Sequence, residues 1–241
     1  MKIRIIQPII TREPDSLIKS EFAPAARPDT ELSVSTIERG PASIESQYDV
    51  AVALPDILIN VRRAQEEGAD AIIINCMADP GLDAAREIAS IPVIGLGEAS
   101  LHLASMLAHK FSVVTILDRD IPDLDRMLRK YALLSRVASI RPINVPVLDL
   151  RDNEEAVTRA AIEAAERAVG EDGAAAIAFG CSGLSGTVKE LAAAFREMDL
   201  RVPVINPASA GIKLAESLVD MGLLYSKLTY PYPPEKKIIF P

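Results

Sequence analysis

One short pattern occurs twice in the sequence, and this repeat limits the fold more than any other feature. In each copy a glycine opens an apolar run that ends at a cysteine: Gly68 precedes Cys76, and Gly173 precedes Cys181. The two copies are offset by 105 residues (68 to 173 and 76 to 181), and the triplet Pro-Val-Ile follows each of them. Although every α/β fold repeats strands and helices, the shared order of these features indicates a tandem duplication of one βαβα unit.

The rest of the chain alternates apolar runs with amphipathic stretches, which is the pattern of parallel sheets covered by helices on both faces. We predict an α/β fold of two similar, open, doubly wound parallel-sheet halves related by pseudo-twofold symmetry, with the active site in the cleft between them. The first half is predicted to comprise residues 1–97 plus 210–241, including a returning C-terminal helix, and the second half residues 98–209. Pro55 is expected to interrupt a long helix.

Composition and charge exclude several classes of function. The 241 residues carry a net charge of −8 without a block of lysines and arginines, which argues against nucleic acid or an anionic membrane as the main partner. No apolar run approaches the roughly 20 residues that a membrane helix needs, and residues 1–8 form a strand pattern rather than a signal peptide. We therefore expect a cytoplasmic protein with a small-molecule substrate. The tail 225–241, rich in Tyr and Pro, is expected to be extended, either as a subunit contact or as a loosely ordered terminus.

The two cysteines do not suit a structural or metal-binding role. A pair of cysteines in 241 residues does not make a disulfide scaffold. Without a further Cys or a nearby His they also make a poor zinc site. Gly95-Leu-Gly97 lacks the third glycine of a dinucleotide-binding fingerprint and is expected to form a turn. We therefore predict neither a metal nor an organic cofactor.

Both cysteines are predicted to lie where ligands bind in open α/β sheets, at the carboxyl end of a strand. Asp79, Ser182 and Ser185 are candidates for capping the helix that follows each cysteine. We expect the helix N-termini to lower the pKa of the thiols from about 8.5. A thiolate on one side of a carbon next to a carbonyl can remove its proton, and a thiol on the other side can return one to the opposite face. This is the chemistry of a racemase.

Two other roles for the cysteines are open at this level. A free cysteine is often a buried small hydrophobe, and the pair could form a disulfide if its Cα atoms lay within about 7 Å. The matching positions of Cys76 and Cys181, and the cap and glycine signals that follow them, favour a catalytic pair.

Five segments carry motifs of a known family: GPASIES at 40–46, NCMADPGLDAARE at 75–87, PVIGLGEA at 92–99, FSVVT at 111–115 and GCSGL at 180–184. They resemble the Asp/Glu/hydantoin racemase superfamily, and in particular its hydantoin racemase branch. The resemblance implies a cofactor-independent, two-base racemase of 5-substituted hydantoins or of allantoin, with Cys76 and Cys181 as its catalytic cysteines. It also implies a homo-oligomer.

The resemblance and the strand-end rule together predict the residues that contact the substrate. Thr115 ends a predicted strand and is a candidate hydrogen-bond donor, whereas Ser43 either caps a helix or belongs to a loop that closes over the site. The first strand runs into Gln7-Pro8-Ile9 where the family commonly has Asn-Pro-Asn, which indicates a less polar pocket. The predicted substrate-binding residues are Pro8, Ser43, Ile44, Asn75, Met77, Ala78, Thr115, Gly180, Ser182 and Gly183.

Three functional alternatives compete with hydantoin racemisation. The superfamily resemblance also allows an aspartate- or glutamate-type racemase and a maleate cis–trans isomerase. A non-catalytic protein that binds a small ligand in the same cleft is the third. Neither cysteine loop contains a Lys or Arg, the charged partners that an amino acid or diacid would need, so a neutral ring fits the sequence better.

Overall fold

The computed structural model describes residues 1–11 and 13–237. The predicted extension of the first half over residues 238–241 therefore lies outside the described residues. Within the described part, no helix is both long and apolar enough to cross a membrane.

Strands alternate with helices from residue 2 to residue 197, because short apolar runs rich in β-branched residues are separated by amphipathic stretches. The strands are β1 (Lys2–Gln7), β2 (Glu31–Thr36), β3 (Ala71–Ile74), β4 (Val93–Gly95), β5 (Phe111–Thr115), β6 (Val137–Pro142) and β7 (Ile177–Phe179). The helices are α1 (Asp15–Phe22), α2 (Gln47–Glu66), α3 (Leu82–Ile88), α4 (Leu96–Leu107), α5 (Ile121–Lys130), α6 (Glu154–Gly170), α7 (Val188–Glu197) and α8 (Pro207–Asp220).

The strands form two parallel sheets, which confirms the predicted α/β class. The first sheet has the order β2-β1-β3-β4 and the second the order β6-β5-β7. Beside β7, the second sheet has one parallel bridge between Ile177 and Val204 in place of a fourth strand. With that bridge, the two sheets have corresponding orders, as a duplicated unit requires, while the pseudo-twofold relation itself stays a prediction.

The repeated glycines have a common conformational reason. Gly68 has φ +79° just before β3, and Gly173 has φ +74° just before β7. A side chain is disfavoured at such left-handed positions, so both turns into a cysteine-bearing strand need glycine.

Two helix predictions differ from the structure. α2 continues through Pro55 without a break. A proline removes one backbone donor, but this 20-residue helix stays in place because its other face buries Ala53, Ile57 and Val61 against the first sheet. The short helix α1, which the sequence pattern did not predict, packs Ile18 and Phe22 into the core.

One core connects the two sheets. Helix α8 packs against α4 and against β3 and β4, and α4 also contacts β7. The largest buried cluster accordingly includes Ile73 and Ile94 of the first sheet together with Phe111 and Ala178 of the second. The boundaries 1–97 plus 210–241 and 98–209 stay a prediction, since residues from both ranges share this core.

Candidate active site

A cavity of about 620 Å³ lies at the carboxyl ends of the strands of both sheets. Cys76, two residues after β3, and Cys181, two residues after β7, both line it. The predicted substrate-binding residues that line the same cavity are Pro8, Ile44, Asn75, Met77, Ala78, Gly180, Ser182 and Gly183.

Both cysteines are free thiols, so the alternative of a disulfide between them is wrong. Among residues 1–11 and 13–237, no group of three His, Cys, Asp or Glu side chains is arranged to hold a metal ion.

The protonation of the thiols differs from the sequence prediction. Burial raises the pKa of Cys76 to about 12 and that of Cys181 to about 11. The backbone N–H of Ala78 bonds to the first sulfur and those of Gly183 and Leu184 to the second, and each of these bonds lowers the pKa. The expected lowering is nevertheless wrong, because desolvation outweighs these donors.

Nearby negative charge adds to the effect of burial. The carboxylate of Asp120 raises the pKa of both thiols, and a charge on Cys181 raises the pKa of Cys76 further. Two groups that influence each other in this way resist being ionised together. The arrangement therefore favours one thiolate and one thiol over two thiolates. A base that alternates with an acid requires this mixed state.

Asp79 does not cap the helix that follows it. That helix, α3, begins only at Leu82. Instead the Asp79 carboxylate accepts hydrogen bonds from the backbone N–H groups of Gly97 (2.8 Å) and Glu98 (2.7 Å), at the start of α4, and from the hydroxyl of Tyr131 (2.6 Å). Burial raises the pKa of Asp79 to about 6, against these three bonds. This side chain thereby links the Cys76 loop to two other elements.

The segment Gly95-Leu-Gly97 is a strand-to-helix junction and not the predicted turn. A Cβ atom on Gly97 would lie 2.3 Å from the carbonyl oxygen of Met77 and 2.8 Å from Oδ2 of Asp79. Glycine is needed here because the Cys76 loop passes so close to the first turn of α4.

Two predicted substrate-binding residues lie outside the cavity lining. Thr115 is fully buried, and its hydroxyl donates to Oδ2 of Asp120 at 3.1 Å, so it positions this carboxylate and does not face a substrate. Ser43 is in the loop before α2 but does not line the cavity, and the capping role goes to Ser46, whose side chain accepts the N–H of Asp49.

The predicted serine caps after Cys181 are also wrong. Residues Ser182–Thr187 form a 3-10 helix that leads directly into α7. The hydroxyl of Ser185 donates to the carbonyl of Ser182 at 2.7 Å and does not cap α7.

Several cavity residues were not predicted as site residues. Gln7 ends β1, Ile9 lies two residues beyond it and Ile116 directly follows β5, so the strand-end rule could have found all three. Glu45 lies in the GPASIES segment, whereas most of the others come from helices and loops that no motif marks. The apolar side chains that line the cavity include Ile9, Ile10, Ile18, Val50, Ile116, Leu124, Met127, Val147, Leu148 and Leu150. The unpredicted polar ones include Gln7, Glu45, Asp120, Tyr131 and Arg151.

The described lysine and arginine side chains that line the cavity are paired with carboxylates. Arg126 forms an ion pair with Asp123, and Lys130 lies 2.7 Å from a carboxylate oxygen of Asp83. Arg151 contacts both Glu13 (2.8 Å) and Glu21 (3.2 Å). These pairs offset the positive charge that would otherwise attract a carboxylate ligand.

The fold and the cavity define an α/β protein with two free thiols in one cleft at the ends of two parallel sheets. The model of the Asp/Glu/Hydantoin racemase family matches residues 13–215, and the chain belongs to this family. The family and the racemase class predicted from the sequence are thereby confirmed.

Relatives and solved structures show how close the similarity is. The chain is 42% identical over 240 residues to hydantoin racemase of Pseudomonas sp. (strain NS671). The match covers 99% of this chain and 94% of that protein. It is 37% identical to hydantoin racemase of Paenarthrobacter aurescens, and the match covers 99% of this chain and 100% of that protein. The structure of allantoin racemase from Klebsiella pneumoniae matches with a TM-score of 0.91 and 36% identity, covering 99% of this chain and 96% of that one.

Proposed function

We propose that the protein is a cofactor-independent racemase that inverts C5 of 5-substituted hydantoins with Cys76 and Cys181 as its two catalytic groups. The presence of both thiols in one cavity, in a chain of this family, carries the proposal. One cysteine as thiolate takes the proton from C5, and the electron pair moves onto the adjacent carbonyl oxygen. The other cysteine as thiol then gives its proton to the opposite face of C5. One thiolate and one thiol are present before and after, with their positions exchanged.

The high thiol pKa values suit this step. C5 of a hydantoin is a weak acid, and a thiolate whose conjugate acid has a pKa of about 11 or 12 is a stronger base than an unperturbed one. The same values make the thiolate scarce near neutral pH. The site thus combines a strong base with a small population of its active form.

The lining of the cavity supports a neutral, mostly apolar substrate. The ring would lie between the two cysteines, against the predicted contact residues that line the cavity, and its 5-substituent against side chains such as Ile9, Ile44 and Met127. A relative of similar identity is named an allantoin racemase, so allantoin, with its polar ureido group, is the second candidate. The apolar walls favour an alkyl or aryl substituent over that group.

Three other functions receive less support. Aspartate, glutamate and maleate carry carboxylates, and the described cations of the cavity are already paired with Asp83, Asp123, Glu13 and Glu21. A protein that only binds a ligand would not need two thiols at equivalent strand ends.

Polarimetry of single-enantiomer 5-isobutylhydantoin tests the proposal. After subtraction of the uncatalysed rate, the decay of optical rotation should fall by about 100-fold or more in Cys76→Ser and in Cys181→Ser, because each variant lacks one proton-transfer group. Ser90→Ala, a surface change on the α3–β4 connection, serves as the control. In deuterium oxide the wild-type product should carry deuterium at C5. Unchanged decay in both cysteine variants would refute the mechanism. Faster turnover of allantoin, aspartate, glutamate or maleate than of 5-isobutylhydantoin would refute the proposed substrate.

We also infer a homo-oligomer located in the cytoplasm. Large apolar side chains are exposed at the end of α8 and beyond it, at Met221, Leu224 and Leu228, which supports a contact between subunits. Both cysteines must remain thiols for the proposed reaction, as a reducing compartment would ensure. Light scattering that returns the mass of a single 26.0 kDa chain would contradict the oligomer.

A further inference from the structure

Two buried amide side chains face each other beside Cys76. Gln7 is the last residue of β1, and Asn75 follows the neighbouring strand β3; both line the cavity, with 8% and 7% of their surfaces exposed. Nδ2 of Asn75 donates to Oε1 of Gln7 at 2.7 Å. The two strands are paired in parallel up to Ile6 and Ile74, so this contact continues their register by one residue.

The pair has hydrogen-bonding atoms that no described residue uses. Oδ1 of Asn75 is buried and has no hydrogen-bond partner within the described chain. A buried acceptor without a partner costs about 1–3 kcal/mol, so such an atom usually has one in the working state. The NH₂ group of Gln7 can act as a donor. Exchanging oxygen and nitrogen in both amides would move the free acceptor to Gln7 and the free donor to Asn75, so the pair as a whole keeps one acceptor and one donor.

We propose that the Asn75–Gln7 pair recognises the N–H and C=O edge of a cyclic ureide. Asn75 accepts a ring N–H, and Gln7 positions Asn75 through the bond between the two amides. The inference rests on the proposed function for the identity of the ring, and it deepens that function by assigning the polar contacts. A hydantoin ring alternates N–H and C=O groups, and a primary amide is complementary to such an edge.

The surroundings explain why this pair would set specificity. Apart from Cys76, the lining residues that directly follow the pair in the sequence are apolar or small: Pro8, Ile9, Met77 and Ala78. A site that hydrogen-bonds one group discriminates strongly against an analogue lacking it, whereas an apolar wall discriminates weakly. The side chain of Gln7 also has the reach to contact Asn75 on the neighbouring strand, which fixes the rotamer of the binding residue.

Binding of 5,5-dimethylhydantoin provides a test that does not need catalysis, since this compound has no hydrogen at C5. Calorimetry would compare it with its N1-methyl and N3-methyl derivatives. Wild-type protein should bind one of these derivatives about 10-fold more weakly, or worse, because methylation removes the N–H that Asn75 accepts. In Asn75→Ala the same derivative should bind within about threefold of the parent compound. Gln7→Met, which keeps the length but removes the amide, should lose most of the discrimination as well.

A second buried asparagine supplies the matched control. Asn60 in α2 also has a buried Oδ1 without a partner in the described chain, but it does not line the cavity; its Nδ2 donates to the carbonyl of Asp56. Asn60→Ala should keep the wild-type ratio between parent and methylated compounds. If Asn75→Ala does not fold, as judged by circular dichroism, the ratio in Gln7→Met decides.

The outcomes separate this inference from the proposed function. Full discrimination retained in the Asn75 and Gln7 variants would overturn the inference even if the wild type racemises 5-isobutylhydantoin. Selective binding that depends on Asn75, without racemisation by the wild type, would overturn the proposed function and leave the recognition pair in place.

Discussion

At the scale of single residues, the proposed mechanism makes the two thiols the groups that set the working pH range of the site. Cys76 and Cys181 have pKa values of about 12 and about 11, so at neutral pH only a small fraction of either is ionised. A thiol with a raised pKa gains thiolate as pH rises, by about tenfold per pH unit below its pKa. Under the proposed mechanism, we therefore expect the free enzyme to become more active toward alkaline pH.

We accordingly expect kcat/KM for 5-isobutylhydantoin to rise with a slope near one, on logarithmic axes, between pH 6 and pH 8. Initial rates by polarimetry, corrected for the uncatalysed reaction at each pH, measure this slope. The quantity kcat/KM is the suitable one because it reports the ionisation of the free enzyme. A plateau within this range would contradict the raised pKa values and indicate a thiolate already formed at neutral pH.

The sequence indicated where the thiols lie but not how they ionise. Their place follows from local signals, since a glycine, an apolar run and a polar loop put each cysteine at a strand end. Their pKa depends on burial by residues distant in the chain, and on carboxylates such as Asp120, which Thr115 holds in position. No local pattern reveals such neighbours, and for the same reason Thr115 was misread as a substrate donor.

At the scale of elements, the junction between β4 and α4 holds the Cys76 loop. Asp79 has a left-handed backbone (φ +48°), which Asp tolerates better than most residues, and its carboxylate satisfies the first N–H groups of α4. The Asp-Pro-Gly sequence was interpreted as a local cap for α3. In the structure the Asp79 carboxylate instead caps a helix that begins 17 residues later in the chain, at Leu96.

Gly97→Ala tests how tightly this junction is packed. The new Cβ would meet the Met77 carbonyl at 2.3 Å, so backbone must move, and we expect a loss of about 1–3 kcal/mol in the free energy of unfolding. Gly170→Ala is the matched control, because beyond its own helix turn and chain neighbours no atom of the described residues lies within 4 Å of its Cβ position at the end of α6. There the free energy of unfolding should stay the same or rise by up to about 1 kcal/mol. Urea denaturation measures both; equal values for the two variants would show that the junction is not tightly packed.

At the scale of the whole molecule, side chains from residues far apart in the chain close the cleft between the sheets. The Tyr131 hydroxyl reaches Asp79, and the N–H of Val147 donates to Oε1 of Glu45 at 2.8 Å. These contacts join segments before residue 80 to segments after residue 130. The two-sheet architecture could be predicted from the repeat, but the closure could not, because it depends on rim side chains that no periodicity marks.

Arg151 makes the rim contact whose energetic role is easiest to isolate. Its guanidinium spans Glu13 and Glu21 while its side chain is 48% exposed, so the pairs should add less than about 1 kcal/mol to stability. We expect Arg151→Met to unfold at nearly the wild-type temperature but to raise KM by about 1.5- to 5-fold. This factor corresponds to losing up to about 1 kcal/mol of the free energy that closes the cleft over the substrate.

Salt separates this effect from a simple loss of packing. The wild-type KM should rise between 0.05 and 0.5 M NaCl, because screening weakens the rim pairs, and the KM of Arg151→Met should change much less. Arg129→Met is the control, since Arg129 pairs with Asp125 within α5 and does not line the cavity. It should keep both the wild-type KM and its salt dependence. A KM for Arg151→Met that rises with salt as steeply as that of the wild type would mean that the rim pairs do not govern closure.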